Sequence, residues 1–570
     1  ELLDHLQGWA ETEVRVILRT SQTYALLLEE SYHPDLLRDA LDRDRHFDRL
    51  WYGLESSHFA DLAIRVIPHE VEDLWRGDIP LFTAQAGSRD LWTAGGRRLP
   101  GALARSGLEM VRLRLERFGE DDLGEQLWYV KGSLTALAIQ TGHTIPGYGE
   151  PSREIAPGGA GDQQLLAVAE RVADRLARLA KRRDGECAWI GLNETMQAGW
   201  SLHPLEMDLY SGLPGIALFL AYLDAVLEID SHRSLVEGTL ASLRRLKERR
   251  SRSPFLGSFN GWSGLLYAWL HVGFLWGRED LVAEAMSILP LIEARIAEDR
   301  ALDLTRGCAG GIVTLLGVNR ATGSAHALEL ARRMGDRLVE TARPFGAGLG
   351  WLTVSSPYRP LTGVSHGASG FAWALGELYG ATGDARFREV AAGALAFEAA
   401  LYSPKAMNWP DLRMPLAADG EEEPPPRYMA AWCHGACGIG LTRLQLLRHL
   451  DDPAIADDAR NALETTLRYG FGSNHCLCHG DLGSLELLLE ASRRLGEPRW
   501  AKELHSKTSS TLASIEEFGF LCGIPLRVET PGLMDGLAGI GYGMLRLAAP
   551  DRVPSVLSLE PPACAAPAAR

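Results

Sequence analysis

No stretch of this 570-residue chain supplies the roughly 18 consecutive apolar residues that a bilayer-spanning helix needs. The longest candidate, 262–276, is interrupted by Ser263, Gly264, His271 and Gly273. An excess of positive charge is missing too. The 58 basic side chains against 74 acidic ones leave a net charge of −16. That balance argues against nucleic acid or an anionic membrane as the main partner, while leaving room for a local basic groove that takes an acidic peptide. Cysteine is scarce: eight residues, clustered beside His and Gly, do not make the disulfide framework of a small secreted chain. They favour metal binding or free thiols in a reducing compartment, so a cytoplasmic location is expected. No signal peptide is visible. The chain opens on Glu1 instead of Met, and the natural N-terminus is expected to lie upstream. The length predicts two domains.

Against these absences stands a repeat. Gly-x-x-Gly recurs as Gly212–Gly215, Gly261–Gly264, Gly307–Gly310, Gly367–Gly370, Gly435–Gly438, Gly480–Gly483 and Gly536–Gly539. Successive motifs lie 45 to 68 residues apart, enough for two helices and two loops each. The stretch after the glycines, as in 216–227, is apolar on nearly all sides. The segments between motifs are amphipathic, and 165–183 shows the type just ahead of the first motif. A helix apolar all round is buried, whereas one apolar stripe covers a core. Alternating the two predicts an inner layer wrapped by an outer one. The spacing is uneven and the last unit is marked like the rest, which favours closure over an open solenoid. The predicted fold is an all-α (α/α)7 double-layer toroid, with inner-helix N-termini gathered at one end. The chain before Ala160 lacks the repeat. The glycine-rich stretch 147–161 is the expected boundary, giving domains 1–155 and 156–570. The polar, stiff loop 419–426 is expected to be an exposed linker or a rim over the site.

Three motifs carry a histidine before the first glycine, His366, His434 and His479, and Cys433 and Cys478 precede two of them. If all inner helices start at one end, these residues converge. Two thiolates and an imidazole suit zinc, and three protein ligands leave a fourth position open, as catalytic sites require. A thiolate-rich set suits holding a reactive sulfur rather than activating water.

The segments WCHGACG (432–438), CHGDLG (478–483), SHGASG (365–370) and DLYSGLPG (208–215) together resemble the lanthionine cyclases. With ETPGLMDGLAGIGYGMLRL and VPSVLSLEPP near the C-terminus, the chain resembles the C-terminal portion of bacterial class II lanthipeptide synthetases. That resemblance implies one Zn2+ on Cys433, Cys478 and His479. It implies addition of a precursor-peptide cysteine to dehydroalanine or dehydrobutyrine, giving thioether rings. His366 is the implied general acid or base, Asp208 is also implicated, and His434 stands where some relatives have tyrosine. Asp208 could equally cap the following helix. The implied partners are a ribosomal precursor peptide, with leader and dehydrated core, and an exporter. Stand-alone cyclases carry arginine where this chain has Met429, with Arg427 close by, and Cys437 sits where proline is usual. Cys308, Cys437 and Cys476 are expected to be small buried hydrophobes.

The N-terminal segment resembles the end of the α+β, kinase-like dehydratase domain of the same synthetases, through 14–28, 76–84 and the later 189–192. Arg15, Arg19 and Ser21 match a stretch linked to phosphate elimination, for which guanidinium groups are suited. No Gly-rich nucleotide loop or Mg-binding Asp/Asn set is recognisable, so ATP and Mg2+ would belong to a part absent from this segment. Two other functions fit the toroid: addition of a small thiol such as glutathione, and glycoside hydrolysis using Asp481 and Asp535. Cysteine ligands serve no purpose in the latter.

Overall fold

A helix follows every glycine motif in the computed structural model of the chain, which describes residues 5–52, 60–140, 161–195, 199–413 and 425–562. The inner helices are Leu213–Leu227, Trp262–Leu275, Cys308–Thr322, Ala368–Thr382, Ala436–Leu446, Asp481–Arg494 and Leu537–Ala548. The first is apolar all round because Leu213 through Asp224 are all buried. Six of them are followed by an outer helix that packs against them, among them Arg233–Arg249, Ala325–Thr341 and Pro498–Phe518. The last inner helix is covered instead by Asp162–Leu179, which precedes the first motif. Its stripe of Leu165, Val168, Ala169, Val172, Ala173, Leu176 and Leu179 is buried, so the two ends of the repeat close on each other. Each inner helix also packs against the next, and Leu537–Ala548 packs against Leu213–Leu227. The (α/α)7 toroid is closed.

Local chemistry sets the joints. Two inner helices end on glycines in the left-handed region, Gly323 at φ 72° and Gly383 at φ 71°. A side-chain cap follows each at once: Ser324 accepts from Ala327 N–H, and Asp384 from Arg386 N–H. A C-terminal glycine and an N-terminal cap back to back turn the chain within two residues.

The inner helices start at a ring of backbone hydrogen bonds. Tyr210 N–H donates to Phe259 O, Asn260 N–H to Thr305 O, and Thr305 N–H to Ser365 O. Ser365 N–H donates to Cys433 O, Cys433 N–H to Cys478 O, and Cys478 N–H to Met534 O. Met534 N–H returns to Tyr210 O at 2.7 Å and closes the circle. The second glycine of each motif lets a helix sit on its own turn. A Cβ on Gly264, Gly310, Gly370, Gly438, Gly483 or Gly539 would overlap the carbonyl oxygen six residues earlier. Gly435 has the additional constraint of φ +90°.

A buried ion pair braces one joint. Arg443 Nη2 donates to Glu398 Oε2 at 2.7 Å, and both side chains are 0% exposed. Glu398 also accepts from Gly363 N–H and Ser369 Oγ, in the turn that presents His366.

The chain forms two compact units, Glu1–Gln126 and Leu127–Arg570. The smaller unit has a four-stranded antiparallel sheet in the order Glu13–Val16, Phe82–Gln85, Leu91–Thr93, Arg98–Leu99. One small core forms around Phe47, Ile67 and Leu74 and another around Val66, Phe82 and Leu91. The stretch proposed from sequence as the domain boundary lies, up to residue 160, outside the described residues, as does most of the 419–426 loop. Among the described residues no helix is long and apolar enough to cross a membrane.

Removing Glu398 leaves the buried Arg443 guanidinium only the part-exposed Asp458 as an ionic partner, at 3.1 Å. Glu398→Ala is therefore expected to lower unfolding free energy by about 3–5 kcal/mol in urea titration. A loss below about 1 kcal/mol, the range of exposed pairs, would show that the pair does not brace the turn.

Candidate metal centre

Cys433 and Cys478 occupy consecutive positions in the backbone ring, and His479 follows the second. Two thiols and an imidazole from helices 45 residues apart are thereby brought together, with one ligand atom from each lying within 4.8 Å of the others. A tetrahedral ion with metal–sulfur bonds of about 2.3 Å and metal–nitrogen bonds of about 2.0 Å holds its donors roughly 3.5–4 Å apart, so the set fits such an ion with little movement. Among the described residues this is the one group of three or more such donors close enough to share an ion.

The surroundings select the ligand atoms. His479 Nε2 lies 2.7 Å from Gly523 O, which can only accept, so Nε2 carries the hydrogen and Nδ1 keeps its lone pair. A carbonyl behind a ligating imidazole fixes ring orientation and tautomer. The Tyr210 hydroxyl donates to Cys478 Sγ at 2.9 Å. Burial holds the Tyr210 phenol well above its ordinary range, so it remains a donor. The Cys478 thiol hydrogen-bonds Cys433 and holds it well below the usual thiol range, which makes Cys433 the thiolate of the pair.

His366 stands beside this set with its ring centroid 5.9 Å from that of His434. Its Nδ1–H donates to Asp303 Oδ2 at 2.7 Å, leaving Nε2 free. Asp303 is 0% exposed and is itself fixed by Arg306 N–H at 2.7 Å and Thr305 Oγ1 at 3.1 Å. His434 is buried, and burial pushes its imidazole down to about 4, so it is neutral near pH 7. Asp208 accepts from Ser211 N–H at 2.8 Å in the turn before the first inner helix, and burial raises its carboxyl. Gly212, not Asp208, occupies the N-cap position.

Sequence reasoning did not assign Asp303, Tyr210, Asp535 and Arg413 to this site. Asp303-Leu-Thr-Arg-Gly307 repeats the spacing of Asp208-Leu-Tyr-Ser-Gly212, a signal that was available. Asp535 is buried, its Oδ1 has no hydrogen-bond partner among the described residues, and burial pushes its carboxyl up to about 6. Asp481 is committed elsewhere: it accepts from Gly472 N–H and Thr511 Oγ1, so the two do not form a glycosidase pair. Arg413 pairs with Asp411 at 2.7 Å and places Nη2 3.1 Å from Met429 Sδ. A cation thus reaches the place where stand-alone cyclases carry arginine, and the Cys433 and Cys478 sulfurs feel its charge. Arg427 instead pairs through its backbone strand with Asp411.

The other described cysteines lie outside the donor group. Cys437 Sγ donates to Gly483 O at 3.2 Å, Cys476 Sγ accepts from His479 N–H at 3.3 Å, and Cys308 is buried beside Asp299. In the smaller unit, Arg19 is held by buried Glu70 at 3.0 Å and by Leu50 O, while Arg15 reaches Ser21 Oγ at 3.5 Å.

A closed helical toroid with a Cys2His donor set at its helix starts defines an (α/α)7 scaffold whose helix starts could hold one metal ion. The family model described as lanthionine synthetase C-like protein matches residues 203–558, and the chain belongs to that family. A model described only as a domain of unknown function, DUF4135, matches residues 1–85. The solved structure of nisin cyclase aligns with a TM-score of 0.50 at 19% identity, covering 69% of this chain and 96% of that one, which supports the fold. The lacticin 481/lactococcin biosynthesis protein LcnDR2 of Lactococcus lactis subsp. lactis is 26% identical over 133 residues. That match spans 21% of this chain and 14% of the relative, far less than the relative's own length.

Gly523→Ala tests the support behind His479. A Cβ there would stand 2.8 Å from Nε2 and 2.6 Å from Cys476 Sγ, crowding the imidazole. Metal affinity is expected to fall about 10–100-fold, as for other groups behind a ligand, read by chelator competition. Unchanged affinity would show that the Gly523 contact does not set the ligand.

Proposed function

We propose that the chain carries the zinc-dependent cyclase of a lanthipeptide synthetase, joining precursor-peptide cysteines to dehydroalanine or dehydrobutyrine as lanthionine or methyllanthionine. The observation that carries this reading is the Cys433, Cys478, His479 donor set beside an Asp303-held His366, in a chain of the lanthionine synthetase C-like family. Cys433, Cys478 and His479 would hold the zinc, which when bound lowers a thiol pKa enough to supply thiolate near neutral pH.

The residues around it do the rest. Tyr210 holds Cys478, and the Gly523 carbonyl holds His479. In the addition, a sulfur–Cβ bond forms, the Cα=Cβ electron pair moves toward the adjoining carbonyl, and a proton is delivered to Cα. His366 Nε2 is the group for that delivery, because Nδ1 is occupied by Asp303, which fixes the ring's orientation. Neutral His434 packs against the same ring and is suited to polarising, not protonating. Arg413 adds positive charge that acts on the Cys433 and Cys478 sulfurs. Asp208 fixes the turn carrying Tyr210.

The first 155 residues are proposed to be the end of a dehydratase domain, supported by the match at residues 1–85 and the lacticin biosynthesis relative. Arg15 is better placed than Arg19 to meet a phosphate, since Arg19 is tied to Glu70. Described cysteines that are all free and buried suit a reducing cytoplasm.

Purified chain is expected to hold about one zinc and to cyclise a dehydrated, Cys-containing peptide, both lost in Cys478→Ala. Full zinc in Cys478→Ala, or ring formation without zinc, would contradict the assignment. His366→Ala is expected to lower kcat by about 10²–10⁴-fold with zinc retained. Asp303→Asn should follow it in direction, and equal rates in Asp303→Asn and wild type would remove Asp303 from the mechanism.

A further inference from the structure

A cavity of about 740 Å³ opens beside the candidate site, and Asp208 forms part of its wall. The rest of the wall is strongly basic for a chain whose net charge is −16: Arg249, Arg250, Arg252 and Arg306 line it against the single further carboxylate of Glu206. Glu206 is already neutralised, because Arg250 Nε donates to it at 3.2 Å. Among the described residues no carboxylate pairs with Arg249, Arg252 or Arg306. Arg249 ends the helix Arg233–Arg249, where the helix dipole favours a cation, but no such account covers Arg252 or Arg306. The Arg306 guanidinium lies over the Phe255 ring, 5.5 Å from its centroid, which leaves its N–H edges open to an anion.

The wall is built, not incidental. Arg295 Nε donates to Ser253 O at 2.7 Å and its Nη2 to Ser251 O, and Trp262 Nε1 donates to Ser253 O at 3.1 Å. These bonds fix the turn that carries Arg252. At the other side, Arg306 N–H is held by Asp303, the carboxylate that also holds His366. Arg306 therefore links the cavity wall to the turn that holds the proposed proton-transfer pair.

We propose that this pocket binds carboxylate side chains of an acidic segment of the peptide substrate and so retains the peptide while its rings form. The proposal rests on reading the neighbouring site as a peptide cyclase. Guanidinium groups take carboxylates in paired, planar hydrogen bonds, and a cationic recess in an acidic surface concentrates anionic ligands from solution.

Fluorescence anisotropy on the full chain tests it with three labelled dehydrated peptides that differ only in one segment, carrying Glu, Gln or Lys. The Glu peptide is expected to bind about tenfold tighter than the Gln peptide at low salt, the sum of a few modest ion pairs, and to lose that advantage in 0.5 M salt through screening. Arg249→Glu/Arg252→Glu should reverse the order in favour of the Lys peptide. If the double variant fails to fold by circular dichroism, Arg252→Gln replaces it and should erase most of the preference. Equal binding of Glu and Gln peptides, a preference that survives the arginine changes, or equal affinity for a labelled oligonucleotide would overturn the proposal. Binding is read without chemistry. A Glu peptide that binds by charge but is never cyclised counts against the cyclase reading alone, and cyclisation without charge preference counts against the pocket alone.

Discussion

Everything at the candidate site hangs on the circle of backbone hydrogen bonds that runs from Tyr210 through Phe259, Thr305, Ser365, Cys433, Cys478 and Met534 back to Tyr210. A closed circle has no loose end, so one turn cannot move without straining its neighbours. It also fixes which side chains meet. Cys433 and Cys478 are adjacent links, and Tyr210 is two links from Cys478, which is why its hydroxyl can reach Cys478 Sγ. The glycines follow from the same constraint: helices that begin this close to their own turns leave no room for a Cβ. Gathering helix N-termini around thiols has an electrostatic consequence as well, since their positive ends favour thiolate over thiol.

A second set of contacts orients the imidazoles. Gly523 O chooses the ring nitrogen of His479 that remains available, and Asp303 does the same for His366. Each is a single acceptor behind an imidazole, and each comes from a different turn of the ring or the loop beside it. Glu398 and Arg443 add a buried ionic brace below the turn that carries His366. Such a pair contributes less to stability than to holding one geometry, because desolvating both charges offsets most of their attraction. The Arg-lined cavity continues this arrangement outward, from the carboxylate that holds His366 to Arg306.

Much of this was legible in the sequence. The glycine motif with an apolar run after it exposes the inner layer, and the charged-apolar alternation of 165–183 exposes the outer one, because helix burial imposes those periods directly. Cys433, Cys478, His434 and His479 were visible because they occupy equivalent places in a repeat. Asp303 was visible in principle, as a second Asp-Leu-x-x-Gly. Arg413 was not. It reaches Met429 only because Pro410–Asp411 pairs with Arg427–Tyr428, a contact no local pattern encodes. The arginine pocket was hidden for a similar reason, since Arg249 and Arg252 meet Arg306 only once two repeats are side by side. Position in the repeat set Cys433 and Cys478 apart from Cys437 and Cys476, and the fold turns the latter two to Gly483 O and to His479 N–H.

X-ray absorption at the zinc edge of the metal-loaded chain would count the sulfurs around the ion. The account predicts a first shell of two sulfurs, one imidazole nitrogen and one light exchangeable atom, with Zn–S distances of about 2.3 Å and Zn–N of about 2.0 Å. A shell of three or four sulfurs would bring Cys476 or Cys437 into the site, close the open position, and contradict the account.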